Sequence, residues 1–128
     1  MAGIVLDTSA LIAYIDPHHQ HHKKISEQMK STRIDFYISA VTYIELMSGA
    51  SKTGIADLIE RGLFHLVSEV VPVDLAISKV AVEARIRCGL KVPDAIISAT
   101  ASHKSAQLWT SDKALAKAHP GARHLLQA

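Results

Sequence analysis

The sequence contains a single cysteine, Cys88, so an intramolecular disulfide bond is excluded. We expect this cysteine to be a small packing residue near a helix end. No apolar run approaches the roughly 20 residues that a membrane-spanning helix needs, and the N-terminus carries no secretory signal pattern. We therefore expect a cytoplasmic protein that does not contact a membrane.

The sequence also lacks a large excess of charge of either sign. Fourteen lysines and arginines accompany twelve acids, and the resulting net charge of +2 does not by itself indicate nucleic-acid binding. The chain has 128 residues, 48% of them apolar, and contains no internal repeat or linker. This length and composition predict one globular domain over residues 1–128 with a substantial core.

Short apolar runs alternate with segments of helical periodicity along the chain. Strands are predicted at 3–7, 36–38, 66–73, 107–110 and 123–125. Helices are predicted at 9–15, around 25–29, and at 40–48, 55–63, 75–88, 94–103 and 112–118. This alternation predicts an α/β fold, in which a parallel sheet of four to five strands is flanked by helices.

Several residues mark the expected helix ends. Ser39 and Asp74 are predicted N-caps, Gly49 lies near the end of a helix, and Gly89 is expected to end another. Pro93 suits the first turn of a helix, where a missing N–H costs nothing. The helix after Asp74 carries a predicted buried stripe, which consists of Ile77, Val80, Ala84 and Cys88.

The first predicted strand ends on a carboxylate. The apolar run Ile4–Leu6 leads directly into Asp7, and a helix is predicted to begin immediately afterwards. In open α/β sheets, ligands bind at the carboxyl ends of the strands, so Asp7 is a candidate site residue. The alternative is that Asp7 only caps the following helix.

Three further acids are predicted to lie near the same edge. Glu45 follows Val41 by four residues and is expected on the helix face that packs on the sheet. Asp94 lies at a helix N-terminus, where capping is an alternative role, but it also shares the inward stripe of Ile97 and Ala101. Asp112 follows an apolar strand, as Asp7 does.

Clustered carboxylates repel one another unless a cation lies among them. Oxygen ligands without adjacent cysteine or histidine favour Mg²⁺ or Mn²⁺ over Zn²⁺. The chemistry that such a site best supports is hydrolysis of a phosphodiester by a metal-activated water.

Four segments of the sequence resemble the signature blocks of PIN-domain nucleases, and more narrowly those of VapC-type toxins of toxin–antitoxin pairs. The blocks are Ile4-Val-Leu-Asp7-Thr-Ser-Ala-Leu, Tyr43-Ile-Glu45-Leu, Gly89-Leu-Lys-Val-Pro-Asp94-Ala-Ile-Ile-Ser-Ala-Thr-Ala and Thr110-Ser-Asp112. They occur in the family's order over nearly the whole chain. One departure is Lys113-Ala-Leu115, where relatives often have an aromatic residue.

The resemblance implies a metal-dependent endoribonuclease with Asp7 and Asp94 as the principal ligands of Mg²⁺ or Mn²⁺. It implies that Glu45 is a ligand or acts through water, and that Asp112 completes the acidic pocket. Ser9 and Thr110 match hydroxyl positions that orient the acids. The resemblance also implies an RNA substrate, a homodimer, and a cognate antitoxin that covers or enters the pocket.

Other polar residues are open to two interpretations. His18 and His22 have the i, i+4 spacing of a transition-metal pair, but the segment His18–His22 follows a turn signal and is expected to be a solvated loop, or alternatively to contact RNA. Basic side chains could line an RNA path or simply be exposed; these are Lys23, Lys24, Lys52, Arg85, Arg87 and Lys91. We expect Trp109 in the core.

Three other functions are compatible with parts of the pattern. A catalytically silent RNA- or protein-binding module of the same fold is disfavoured because all four acids are present. A Mg²⁺-binding phosphotransfer receiver domain would have an acid pair after the first strand and a phosphoacceptor aspartate after a strand near mid-chain. No acid pair follows the first strand here, and the only aspartate directly after the third predicted strand, Asp74, precedes a well-formed helix. A haloacid-dehalogenase-like hydrolase would need a second aspartate at the position of Ser9.

Overall fold

The computed structural model describes residues 3–124 and contains one parallel sheet. Its strands are β1 (Ile4–Leu6), β2 (Phe36–Ser39), β3 (Glu69–Val71), β4 (Gln107–Thr110) and β5 (Ala122–His124). They are arranged in the order β3-β2-β1-β4-β5, and every neighbouring pair is parallel. The predicted parallel α/β fold is therefore confirmed.

Seven helices flank the sheet in the described part of the chain. They are α1 (Thr8–Ile15), α2 (His22–Lys30), α3 (Ala40–Lys52), α4 (Ala56–Leu66), α5 (Leu75–Cys88), α6 (Val92–His103) and α7 (Lys113–Ala118). None of these helices is long and apolar enough to cross a lipid bilayer.

The side-chain alternation of the central strand divides the core into two layers. Ile4 and Leu6 pack with buried residues of α1 to α4, while Val5 packs on the other face with residues of α5, α6 and α7. Both faces of β1 are therefore covered, which explains why the strand is a continuous apolar run. Trp109 is buried in the first layer, as predicted, and contacts Phe36 edge to face.

The predicted helix ends at Ser39, Asp74 and Gly89 are confirmed. Ser39 Oγ accepts a hydrogen bond from the Val41 N–H, and Asp74 Oδ1 accepts one from the Ile77 N–H. Gly89 ends α5 with a φ of 67°, in the left-handed region that glycine adopts without steric cost.

The predicted bounds of α3, α4 and β3 were wrong. Helix α3 continues through Gly49 to Lys52, because burial of Ala50 in the next turn stabilises the additional helical residues. Helix α4 extends to Leu66, so β3 is shorter than the predicted strand 66–73. The last predicted strand corresponds to β5, and its predicted final residue, Leu125, lies outside the described residues.

The predicted buried stripe of α5 was also partly wrong. The buried residues are Ile77, Ala81 and Ala84, whereas Val80 is 37% exposed and Cys88 is exposed. Helix α5 has apolar residues on nearly all sides, so spacing alone did not identify the face that packs against α6. Cys88 is therefore not the buried packing residue that we expected.

A buried histidine connects α7 to α6. His119 is 6% exposed, and its Nδ1 lies 2.5 Å from Ser98 Oγ, which is also buried. Burial lowers the pKa of His119 below its ordinary value of 6.5, because the imidazolium form would lose its hydration. The unfolded chain therefore binds more protons than the folded chain just below pH 6.5, and acidification through that window must destabilise the fold.

We expect the free energy of unfolding to fall from pH 7.5 to pH 5.5, and His119→Asn to reduce this fall. The asparagine is uncharged at both pH values and can keep one hydrogen bond to Ser98. Urea unfolding of both proteins at the two pH values measures the difference. An equal fall in the two proteins would mean that His119 does not contribute to the acid sensitivity.

Candidate active site at the carboxyl edge of the sheet

Two aspartates meet where β1 and β4 end. The two strands are paired and parallel, with Leu6 beside Trp109, and the N–H of Asp7 donates to the carbonyl of Trp109 at 3.1 Å. Asp112 follows the last residue of β4 by two positions. The topology therefore brings together two acids that are separated by more than one hundred residues in sequence.

Asp7 is 4% exposed, and both oxygens of its carboxylate accept hydrogen bonds. Its Oδ1 accepts hydrogen bonds from Ser9 Oγ at 2.7 Å and from the Ala10 N–H at 2.8 Å. Its Oδ2 accepts a hydrogen bond from Thr110 Oγ1. Asp7 is thus the N-cap of α1 and also a buried carboxylate at the sheet edge, so the two interpretations of this residue are compatible.

The pKa of Asp7 is raised above its ordinary value. The main cause is burial, which penalises the carboxylate form, and the nearby charge of Asp112 raises the pKa further. Hydrogen bonds from Thr110, Ala10 and Ser9 stabilise the carboxylate and lower the pKa. A cation at this edge would offset both the desolvation and the repulsion.

The segment that carries Asp112 is hydrogen-bonded to Ser9 and Thr110, the two residues whose hydroxyl groups also bond to the Asp7 carboxylate. Asp112 caps α7, since its Oδ1 accepts the Leu115 N–H at 3.0 Å, and its own N–H donates to Thr110 Oγ1 at 2.9 Å. The Ser111 N–H donates to Ser9 Oγ at 3.3 Å. Ser9 and Thr110 therefore contact both aspartate segments and limit their relative movement.

Asp94 lies in the first turn of α6 and faces the other acids. Its pKa is raised, first by partial burial and then by the negative charges of Asp112 and Glu45, while Lys91 lowers it. Among residues 3–124, none donates a hydrogen bond to the Asp94 carboxylate, so the alternative capping role is not observed. Its oxygens therefore remain available to a ligand.

Glu45 reaches the site from α3, but not from the buried face that we expected. The buried positions of α3 are Thr42, Leu46 and Ala50, and Glu45 is exposed at the rim beside them. Its Oε1 accepts a hydrogen bond from Thr8 Oγ1 at 2.6 Å. The exposed position avoids the desolvation cost that a buried glutamate would incur.

Two residues of the site were not predicted from the sequence. Thr8 hydrogen-bonds to Glu45 and also contacts Thr42 Oγ1 at 3.2 Å, so it joins α1 to α3. His124 Nε2 lies 3.0 Å from the carbonyl oxygen of Ser111 and so holds β5 against the Asp112 segment. The only sequence signal for Thr8 was its position directly after Asp7, and none indicated His124.

The histidine segment does not form the spaced pair that i, i+4 binding would require. Helix α2 begins at His22, so His18 lies in the preceding turn rather than one helical turn away. His22 Nδ1 lies 3.0 Å from the carbonyl of Ala13, and Nε2 lies 3.3 Å from Ser26 Oγ. Both ring nitrogens of His22 are thus occupied by the protein.

Asp7, Asp94, Asp112 and Glu45, with the hydroxyl groups beside them, form what we call the acidic edge. It offers carboxylate and hydroxyl oxygens. In residues 3–124, no group of three or more histidine, cysteine, aspartate or glutamate side chains is close enough to surround a metal ion directly. Mg²⁺ is commonly held by one or two carboxylates together with several waters. The donor types of the edge therefore suit a hard divalent cation.

Comparison with known proteins assigns the family. Residues 4–119 match the PIN domain family, which covers most of the chain, and the protein therefore belongs to this family. A comparison with curated protein sequences gave no significant match.

Solved structures share the fold at low sequence identity. A toxin–antitoxin complex from Klebsiella pneumoniae is 24% identical, with a TM-score of 0.85 and coverage of 98% of this chain and 99% of that chain. FitAcB from Neisseria gonorrhoeae is 22% identical, with a TM-score of 0.78 and coverage of 90% and 91%. A sarcin-ricin loop cleaving VapC toxin from Mycobacterium tuberculosis is 19% identical, with a TM-score of 0.78 and coverage of 94% and 97%.

Proposed function

We propose that this protein is a metal-dependent endoribonuclease and the toxin of a toxin–antitoxin pair. The observation that carries the proposal is that Asp112 lies near both Asp7 and Asp94, and that Glu45 also lies near Asp94. Burial and the charges of neighbouring acids raise the pKa values of Asp7 and Asp94, and a divalent cation bound among the acids would offset both effects. Membership of the PIN domain family and the structural likeness to toxins support the same assignment.

In this proposal, Asp7 and Asp94 hold the metal, and Glu45 and Asp112 complete its acidic surroundings. Ser9 and Thr110 keep the Asp7 oxygens in place through their hydrogen bonds, and Thr8 does the same for Glu45. A Mg²⁺ or Mn²⁺ ion held by these residues would lower the pKa of a coordinated water and stabilise negative charge on the phosphate. The four acids also give a proton released during hydrolysis a nearby acceptor.

The test is cleavage of a structured RNA pool by the purified protein with Mg²⁺, with Mn²⁺ and with excess EDTA. The proposal requires cleavage with at least one metal, loss of cleavage in EDTA, and recovery when metal is restored. Running Asp94→Asn beside the wild type excludes a contaminating nuclease. Equal cleavage by both proteins would refute the proposal and favour a catalytically silent binding module.

An antitoxin site is proposed in the cleft between α1, α2 and α4. The cleft has a volume of about 630 Å³, and its apolar wall includes Tyr14, Leu58 and Leu63. Leu58 is 63% exposed, so the cleft presents unpaired apolar surface. Because similar structures are toxin–antitoxin complexes, we assign this surface to an apolar segment of the cognate antitoxin.

We expect Leu58→Glu to weaken the antitoxin complex at least about tenfold, because burying the carboxylate in an apolar contact is costly. Ile44→Glu is the matched control, since Ile44 is 62% exposed on α3 and does not line the cleft. Calorimetric titration with the cognate antitoxin measures both affinities. Equal weakening, or none in either variant, would place the antitoxin elsewhere.

The expected homodimer is proposed to form through α5. Leu75, Val82 and Ile86 are 69%, 56% and 81% exposed and follow one another along the helix. Two antiparallel copies of α5 would bury these side chains against each other in a two-fold symmetric contact. Light scattering should therefore report a dimer for the wild type and a monomer for Ile86→Glu; a dimeric variant would exclude this contact.

A further inference from the structure

A second cleft opens between α7 and β5 and is lined by cationic side chains. Its volume is about 400 Å³, and its lining residues are Lys113, Ala116, Lys117, Ala122 and His124. The lysines are four residues apart and lie on the same side of α7. The two alanines leave space between the helix and the strand, so both ammonium groups can approach a common ligand.

The cleft lies directly beside the acidic edge. Lys113 follows Asp112, and β5 pairs with β4 so that His124 is next to Thr110, the residue that hydrogen-bonds to Asp7. His124 Nε2 also lies 3.0 Å from the Ser111 carbonyl, which fixes the wall of the cleft to the Asp112 segment. A strand of RNA at the acidic edge would therefore extend into the cleft.

Lys113 and Lys117 lie at increasing distances from the acidic edge. Helix α7 begins at the carboxyl edge of the sheet and returns toward the opposite edge, because β4 and β5 are parallel. Lys117 is one helical turn beyond Lys113, a rise of about 6 Å along the axis. The two charges thus form a short track that leads away from the acidic residues.

Among residues 3–124, no carboxylate side chain neutralises the positive charge of the cleft. In the described part of the chain, neither Lys113 nor Lys117 forms an ion pair, and the lining of the cleft contains no carboxylate. Asp112 directs an oxygen to the Leu115 N–H instead. Arg123 lies over the ring of Trp109, so it does not contribute to this surface. An anionic ligand is therefore the chemistry that the cleft fits.

We propose that Lys113 and Lys117 bind backbone phosphates of the RNA next to the scissile bond, with His124 as the fixed wall of this subsite. The inference rests on the proposed function. Four carboxylates repel a polyanion, and a metal ion compensates only at the reacting phosphate. Lysines beside the edge supply the attraction that adjacent phosphates need, independently of base sequence.

The test is binding of a labelled single-stranded RNA oligonucleotide in EDTA, where metal-dependent cleavage cannot occur, over a range of salt concentrations. We expect the double variant Lys113→Gln/Lys117→Gln to weaken binding. Its plot of log affinity against log salt concentration should be shallower by about 0.7 for each phosphate that the variant no longer neutralises. Arg61→Gln/Lys79→Gln is the control, because it removes two exposed positive charges outside the cleft.

Cleavage kinetics provide the second measurement. We expect the lysine double variant to raise KM and leave kcat within about twofold, because the lysines bind substrate and do not touch the reacting atoms. Salt slope and KM equal to those of the control would overturn the inference while wild-type cleavage still supports the proposed function. Loss of antitoxin binding with RNA binding intact would instead assign the cleft to a protein interface. If the wild type neither binds nor cleaves RNA, the proposed function fails and this inference with it.

Discussion

Asp94→Asn is expected to abolish RNA cleavage while making the metal-free protein more stable. The amide is a poor metal ligand, and a metal ion contributes several kcal/mol to stabilisation of the transition state. Since each 1.4 kcal/mol corresponds to a factor of ten, we expect kcat to fall by at least about 10²-fold. Single-turnover cleavage at saturating metal measures the loss.

The expected gain in stability follows from the upward shift of the Asp94 pKa in the folded chain. The pKa is raised in the folded chain, so between the unfolded value of 3.8 and the raised value the folded state binds more protons. Stability therefore decreases as the pH rises through that window, and at neutral pH the charged Asp94 opposes folding. Removing the charge should raise the melting temperature in EDTA.

Adding Mg²⁺ should raise the melting temperature of the wild type more than that of Asp94→Asn, because the variant lacks one of the two proposed principal ligands. A variant that is inactive because it is unfolded would show the opposite pattern, with a lower melting temperature in EDTA. Partial activity of Asp94→Asn would exclude this residue as an essential ligand, and activity equal to that of the wild type would refute the proposed function.

Asp7→Ala is expected to abolish cleavage and also to destabilise the fold. The substitution removes the N-cap of α1 and leaves the donors of Ser9, Ala10 and Thr110 without their carboxylate. Loss of an N-cap costs about 0.5–2 kcal/mol, and a buried donor without a partner costs about 1–3 kcal/mol. We therefore expect the free energy of unfolding to fall by about 2–4 kcal/mol.

The matched control is Asp74→Ala, which removes a similar N-cap hydrogen bond from α5 at an exposed position. It should cost about 1 kcal/mol and leave cleavage unchanged. Asp7→Asn separates the two roles, because its amide oxygen can still cap α1 but cannot supply the charge. Urea unfolding of the three variants tests the ranking, and equal costs at Asp7 and Asp74 would show that the buried donors around Asp7 add nothing to the cost of losing the cap.

Much of the fold could be predicted because its determinants are local in sequence. The apolar run before Asp7, the caps at Ser39 and Asp74, and the first-turn proline at Pro93 each act within a few residues. The strand–helix alternation then restricts the topology to a parallel sheet. The location of Asp7 and Asp112 at one edge follows from these local features and from the rule that parallel strands end together.

Features that depend on distant packing could not be predicted. The hydrogen bond from Thr8 joins residues 37 positions apart, and nothing in the sequence near either residue indicates it. The exposure of Glu45 was mispredicted because the buried face of α3 is offset by one residue from the expected one. The wall formed by His124 depends on the pairing of β5 with β4, which is an edge contact between short strands.

The hydrogen bond between Thr110 and Asp7 joins residues that are 103 positions apart. During synthesis, β1 emerges from the ribosome long before β4, so the central strand pair and the acidic edge cannot form until β4 and Asp112 have been translated. Contacts of such large sequence separation also tend to form late in folding. The proposed activity therefore requires that β4 and the Asp112 segment, which are made late in synthesis, have packed against β1.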